Sequence, residues 1–442
     1  MLRHTRNLPL TQQVKRLLII SPHFPPVHAP DAQRAVTSLK YLRAHNWDPT
    51  VLCVAPNYVA AAKDYAAIQT YPNDVRIERC KAWPLWFTKL FSMRTLAWRA
   101  IGSMFRTGCS LIEEIQPDLV FFTTTQFSLI TLGPRWQRKY GVPFVVDLQD
   151  PWLTDSYSMP GAAPAPGGWK YRIAHLTAAR LEEPTFRAAS GFISVSPGYL
   201  ESLSHRYPWF GEKPQTVIPF GVDASEYITA VSSSPAFAPD EQLLQFVSVG
   251  AVGLIMKKAV ISLLSQFAQF KLDQPEIAAK IRLYFFGTSY VTGDQALESV
   301  QLIAREFGLE DHVYESTDRL TKDEVKATNL AADGLIIMTS DDLAYTPSKL
   351  AGSFLADRPA LLVANRNSRA QKLSHELGLA RLLDTDNSTP HALRDFVADI
   401  ASPQNSWRKT RNHDLFAGAF TAEARTAQLA AFLDTTLLRQ SA

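Results

Sequence analysis

The chain has 442 residues, 46% of them hydrophobic and 20% charged. It is long enough for two or three domains and apolar enough for a large buried core. A net charge of +3 is too small to imply nucleic-acid binding. Three cysteines, Cys53, Cys80 and Cys109, are an odd number and form no CxxC pair, so neither a disulfide framework nor a zinc site is suggested and the reading is a reducing, cytoplasmic compartment.

Met1–Arg16 is polar and basic without an apolar core, and no run of about 18 apolar residues occurs, so neither a secretory leader nor a membrane-spanning helix is expected. Leu17–Ser21 predicts a buried strand, and Asp31–Ala44 a helix with Val36, Leu39 and Leu42 on one side and Asp31 as its N-cap. Strands are expected at Thr50–Ala55 and Leu119–Thr123. A helix at Gln126–Tyr140 and a strand at Phe144–Asp147 follow. Helix Trp169–Ala189, strand Gly191–Val195, helix Pro197–Arg206 and strand Thr216–Ile218 complete a first series. Residues 229–240, rich in Ser, Ala and Pro, read as a linker.

The alternation then restarts. Strands are expected at Phe246–Gly250, Leu283–Gly287, Val313–Glu315, Leu335–Met338 and Ala360–Ala364. Between them lie helices at Lys258–Phe270, Gln295–Phe307, Lys322–Ala332 and Ser348–Leu355. Apolar runs separated by helices indicate parallel strands covered on both faces. The expectation is two doubly wound, Rossmann-like domains with an interdomain cleft. Their bounds are residues 1–228 and 241–442, the second carrying the terminal helix.

Between Glu78 and Glu113 no acidic residue occurs, while Lys81, Lys89, Arg94, Arg99 and Arg106 alternate with Trp83, Trp86, Phe87, Phe91, Trp98 and Phe105. As a helix, Leu90, Phe91, Met93, Ala97, Trp98, Ile101, Met104 and Phe105 form one stripe, with Leu96 outside it. Such a stripe fits peripheral contact with an anionic membrane through residues 83–106, or packing on its own domain.

Five motifs carry chemistry. Phe24-Pro25-Pro26, then Arg34, follow the first strand. His23 precedes them. Asp147-Leu148-Gln149-Asp150-Pro151-Trp152 ends another strand, where carboxylates bind hydroxyls or take a proton. Val217-Ile218-Pro219-Phe220-Gly221-Val222-Asp223 precedes the linker. Ser248-Val249-Gly250-Ala251-Val252-Gly253, with Lys257 and Lys258 at a helix start, offers small residues and cations to an anion. Pro347-Ser348-Lys349-Leu350 opens another helix, ahead of Pro359.

In their order these motifs resemble the family-four glycosyltransferases, of the two-domain GT-B fold. The resemblance implies transfer of a sugar from a nucleoside diphosphate sugar to an acceptor hydroxyl, in surface polysaccharide or glycoconjugate synthesis, generally with retention. It implies donor binding by Gly253, Lys257, Lys258, Gly287, Arg319, Leu320, Thr346, Ser348, Lys349 and Leu350. Asp150 and His23 are the acceptor-side catalytic candidates. No metal and no cofactor beyond the donor is expected; the partners are a nucleotide sugar and a glycan or lipid-linked acceptor, at the inner face of the cell membrane. The sequence departs from the family at Gly352 and Ala344, where a pair of glutamates is usual. Two alternatives therefore stand beside transfer, a non-catalytic GT-B binding protein and a sugar-nucleotide epimerase.

Overall fold

The structure is a computed structural model that describes residues 14–88, 95–153, 169–228, 233–252, 256–289, 298–343, 349–387, 391–401 and 406–441. The chain divides into two compact units. The first contains residues 1–221 and 422–442, the second residues 222–421.

The first unit is a seven-stranded parallel sheet. Its strands are β1 (Lys15–Ile20), β2 (Trp47–Val54), β3 (Arg76–Cys80), β4 (Leu119–Thr123), β5 (Phe144–Leu148), β6 (Gly191–Ser194) and β7 (Gln215–Val217). Their order is β3-β2-β1-β4-β5-β6-β7. The central strands are continuous apolar runs because helices cover both faces. Leu17–Ile20 and Phe121–Phe122 are wholly buried, each side chain contributing about 1.5–3 kcal/mol.

Three expectations are corrected here. The helix expected over Asp31–Ala44 is a short α-helix, Gln33–Leu39, between 3-10 turns at Pro30–Ala32 and Leu42–His45. Asp31 caps nothing there, because its carboxylate is turned to His23. Gln126–Tyr140 likewise splits into a 3-10 turn, Phe127–Thr131, and a helix, Leu132–Tyr140. Strand β3, RIERC, was not expected. It is an edge strand paired only with β2; Arg76 is exposed and Glu78 half-exposed, while Arg79 turns inward and donates to Pro25 O at 2.8 Å.

The amphipathic stripe is spent on the domain itself. Helix Leu96–Ile115 buries Leu96, Ala97, Ala100 and Met104 in the first core, and Ile101 and Phe105 pack against it. Leu96, placed outside the stripe by its helical angle, is buried because it opens the helix against the domain. Arg99 is buried too, donating to Trp83 O and Tyr58 O at 2.8 Å each. Trp83, Trp86 and Phe87 stay exposed, while residues 89–94 lie outside those described.

The second unit is a six-stranded parallel sheet of β8 (Leu244–Val249), β9 (Ile281–Phe286), β10 (Val313–Ser316), β11 (Gly334–Met338), β12 (Ala360–Ala364) and β13 (Arg381–Asp384), in the order β10-β9-β8-β11-β12-β13. β13 adds a strand beyond the expected last one. It is short, and only its Leu383 and Asp384 are buried. Helix Lys322–Ala331 opens with a reciprocal capping box between Thr321 and Glu324, a local arrangement that fixes its start.

The domain bounds also differ from expectation. The part of the linker from residue 233 onward is docked in the second unit. Ala236 N donates to Thr328 Oγ1 at 2.9 Å, and Phe237 is buried against Tyr284. The terminal helix, Ala422–Ser441, was expected in the second domain and packs on the first. Leu429, Ala430 and Leu433 complete the core face that holds Leu17, Ile19 and Phe121. Asp434 accepts from the Trp47 indole at 2.9 Å and pairs with Lys15.

Candidate functional site

In the first unit, polar side chains gather where β1, β4 and β5 end. A parallel sheet places ligand sites there, because the loops leaving the strand C-termini diverge. His23 Nδ1 lies 2.8 and 3.0 Å from the two carboxylate oxygens of Asp31. Asp31 is buried. It accepts further bonds from Thr124 Oγ1, Thr125 N and Thr125 Oγ1 at 3.2–3.3 Å. Burial pushes its carboxyl up, but the hydrogen bond and charge of His23 and the Thr125 bonds outweigh that and hold it below the ordinary carboxylate value.

Below this pair lies a buried ion pair. Arg34 Nε donates to Asp147 Oδ2 at 2.7 Å, and its Nη2 donates to Ile218 O at 2.5 Å. The same carboxylate oxygen accepts from Thr123 Oγ1 at 2.8 Å and Gln149 Nε2 at 3.0 Å. Arg34 also sits over the Phe220 ring. Asp147 is thus tied into the fold, whereas Asp150 is exposed. Desolvation by its surroundings and the like charge of Asp31 raise the Asp150 carboxyl above its ordinary value, as suits a proton acceptor.

In the second unit the decisive group is Lys349, first residue of the helix Lys349–Leu355. Its ammonium is buried with no hydrogen-bond partner among the described residues. Desolvation depresses it to about 8. It lies against Gly250, which follows β8 with a φ of 109°. A Cβ there would stand 2.5 Å from Lys349 Cε and 2.7 Å from Nζ. Gly287, after β9, also has a positive φ, 69°, and a Cβ on it would meet Gly250 Cα and the backbone of Asp318 and Arg319. Glycine is required at both positions by backbone sign, and at Gly250 by the lysine as well.

The remaining donor-side candidates are placed unevenly. Lys258 is turned away to an exposed ion pair with Asp386, whose hydrogen bond raises its ammonium above the ordinary value. Lys257 is exposed beside it, and Arg319 is exposed in its turn. Leu320 is half-buried, and Leu350 is a core side chain, 2% exposed. Gly253, Thr346 and Ser348 lie outside the described residues, as does Ala344. Gly352 faces Tyr227, whose hydroxyl would stand 3.1 Å from a Cβ there.

Residues 32–221 match the family profile described as the glycosyl transferase 4-like domain. That segment, ending at the boundary of the first unit, holds Arg34, Asp147 and Asp150. No curated protein matches the sequence. Solved structures share the fold over nearly the whole length. Sucrose-phosphate synthase from Thermosynechococcus elongatus is 14% identical at a TM-score of 0.57, covering 96% of this chain and 100% of its own. Anabaena HepE in complex with UDP is 15% identical at 0.57, covering 95% and 100%. An Escherichia coli protein, titled trehalose-6-phosphate and bound with UDP-2-fluoro glucose, is 12% identical at 0.56, covering 96% and 99%. With the two parallel sheets, these likenesses establish the GT-B fold.

Sequence reasoning missed two partners at these sites. Asp31, which its place in the sequence suggests as a helix cap, is the His23 partner. Asp386, which pairs with Lys258, stands 128 residues away, and no local pattern signals such a pairing.

Proposed function

We propose that the chain is a glycosyltransferase that moves a sugar from a nucleoside diphosphate sugar to an acceptor hydroxyl. The observation that carries this reading is the buried Lys349 ammonium, unpartnered among the described residues and seated on the Gly250 backbone. A buried cation without a counter-ion is costly; a diphosphate supplies the missing charge. As the bond to the sugar breaks, negative charge builds on the leaving diphosphate, and a fixed ammonium stabilises that charge more than the ground state. The UDP and UDP-2-fluoro glucose complexes among structures of the same fold support a uridine nucleotide as donor.

On the acceptor side, His23 and Asp150 are the candidate proton acceptors. Asp31 bonds His23 through Nδ1, which leaves Nε2 as the basic nitrogen. Asp150 carries a raised carboxyl. With a lysine balancing the leaving group, the reaction needs no metal, and activity persisting in EDTA is the expected result. An acceptor in a surface glycan or on a lipid follows from the family resemblance. Exposed Trp83, Trp86 and Phe87 beside Lys81 favour peripheral contact with an anionic membrane, which vesicle flotation tests.

Calorimetric titration with UDP, GDP, ADP and dTDP tests the donor reading. One nucleotide is expected to bind, and Lys349→Ala to abolish the binding. Retained affinity in that variant removes Lys349 from the site. A second reading, sugar-nucleotide epimerisation, is favoured by a structure of a UDP-N-acetylglucosamine 2-epimerase from Listeria monocytogenes, 12% identical at a TM-score of 0.51, covering 97% of each chain. An isomerised sugar nucleotide formed from donor alone would decide for it.

A further inference from the structure

Residues 149–153 leave β5 and carry Asp150, and both ends of this segment are fixed. At the near end Gln149 is buried. Its Nε2 reaches Thr123 Oγ1 at 2.8 Å, Asp147 Oδ2 at 3.0 Å and Asp31 O at 3.2 Å. At the far end both backbone groups of Leu153 are bonded. Its N–H donates to Glu182 Oε2 at 2.8 Å, and its carbonyl accepts from Arg206 Nη2 at 3.0 Å. Arg206 Nη1 closes the ring by donating to Glu182 Oε1 at 2.8 Å, and the Tyr207 hydroxyl donates to the same oxygen at 2.9 Å.

Between these anchors the chain is stiff. Pro151 has its own φ fixed and disfavours the helical region for the residue before it, Asp150. Trp152 stacks on Phe127 with centroids 5.9 Å apart and meets Phe186 edge-on at 5.7 Å.

Stability does not explain the ring of Glu182, Arg206 and Leu153. Glu182, on helix Trp169–Ala188, is 1% exposed. Burial raises its carboxyl above the ordinary value in spite of Arg206, Tyr207 and the Leu153 N–H, so the fold holds this charge at a net cost. Well-packed apolar side chains often stabilise as much as a buried ion pair or more. An apolar pair, however, could not bond a loop backbone at its donor and its acceptor together.

Asp150 is where that grip matters. Desolvation and the like charge of Asp31 act on its carboxyl. Burial and the charge of Asp150 act in turn on Tyr199, near the start of helix Pro197–Arg206, which ends in Arg206 itself. A proton moves only to a base held within hydrogen-bond reach, and a loop free to swing would carry Asp150 into water.

We infer that Glu182 and Arg206 are positioning residues, which grip both backbone groups of Leu153 and thereby hold Asp150 at the strand end beside Asp31. The inference rests on reading Asp150 as an acceptor-side base, and names the groups that place it.

A pH titration of the full chain by NMR tests it, with carbon-13 in the aspartate carboxyls and the Asp150 signal assigned by its loss in Asp150→Asn. In the unaltered chain Asp150 should titrate above its ordinary value of 3.8. The amide in Glu182→Gln cannot accept at both ends, so one grip on the loop fails and the Asp150 midpoint should fall toward 3.8. Arg206→Lys keeps the charge opposite Glu182 but loses the fork that reaches Leu153 O. It should move the midpoint the same way, and it decides the question if Glu182→Gln does not fold. Gly108→Ala loosens the same unit at Trp136 without touching the clamp, and should leave the midpoint in place. Three results would overturn the inference: an ordinary midpoint in the unaltered chain, a midpoint unmoved in the clamp variants, or an equal fall in Gly108→Ala. UDP affinity should be unchanged in both clamp variants. Its absence from the unaltered chain removes the donor reading alone, since the Asp150 midpoint is read without nucleotide.

Discussion

Lys349 is where stability and ligand binding oppose each other most directly. Its folded pKa, about 8, lies below the ordinary lysine value of 10.5. The unfolded chain therefore binds the proton more tightly than the folded one, and stability rises with pH between about 8 and 10.5 as the unfolded lysine loses that proton. Below pH 8 the full penalty applies, on the order of 3 kcal/mol. Lys349→Met is expected to raise the thermal midpoint of the free protein at pH 7 while abolishing UDP binding. A lower midpoint in that variant would show that the lysine is not strained. Gly250→Ala attacks the same spot without changing charge. Its Cβ would lie within 2.7 Å of the lysine Nζ and adopt a φ of 109°. UDP affinity should fall about tenfold or more while the overall fold persists, as read by calorimetry and circular dichroism. Unchanged affinity in Gly250→Ala would separate the glycine from the site.

At the scale of elements, close packing sets what the helices tolerate. Gly108 lies on helix Leu96–Ile115 against Trp136, and a Cβ there would come within 2.2 Å of the indole. Gly108→Ala should cost about 1–3 kcal/mol by forcing the two helices apart, measured by urea unfolding; a neutral effect would mean that the Trp136 ring yields freely. The same level explains what could be read in advance. Strands β1, β4, β5 and β12 are built on apolar runs and stand within two residues of expectation, because the middle of a doubly covered strand is buried on both faces. Strands β3 and β13 escaped notice because they are sheet edges, where Arg76, Glu78 and Arg381 face water and the apolar signal fails. Lys349 stands in a short motif at a helix start that the sequence displays, whereas the sequence points to Gly253 as the donor-side glycine and the contact of Gly250 with Lys349 is seen only in the fold. The Asp31–His23 bond was not legible, since an aspartate at a turn reads as a cap. The stripe of Ala97, Ile101 and Met104 was legible as a stripe, but periodicity does not say what covers it; the domain's own sheet does.

At the scale of the whole molecule, the chain passes between its units twice, near Gly221 and near Thr421. The second unit is therefore one uninterrupted segment with its own sheet, its own core and Lys349. The first is two segments, and the terminal helix is part of its core. Removing that helix uncovers Leu17, Ile19 and Phe121 and leaves the Trp47 indole N–H without its Asp434 partner. Burial of Leu429 and Leu433 at about 1.5–3 kcal/mol each sums to on the order of 5 kcal/mol. That equals the whole stability of a marginal domain, about 5–15 kcal/mol. Residues 222–421 expressed alone should thus unfold cooperatively and bind UDP as the full chain does. Residues 1–221 alone should lack a cooperative transition, and adding residues 422–442 through a short linker should restore one. A cooperative fold in 1–221 without the helix would show that the helix covers a core already closed.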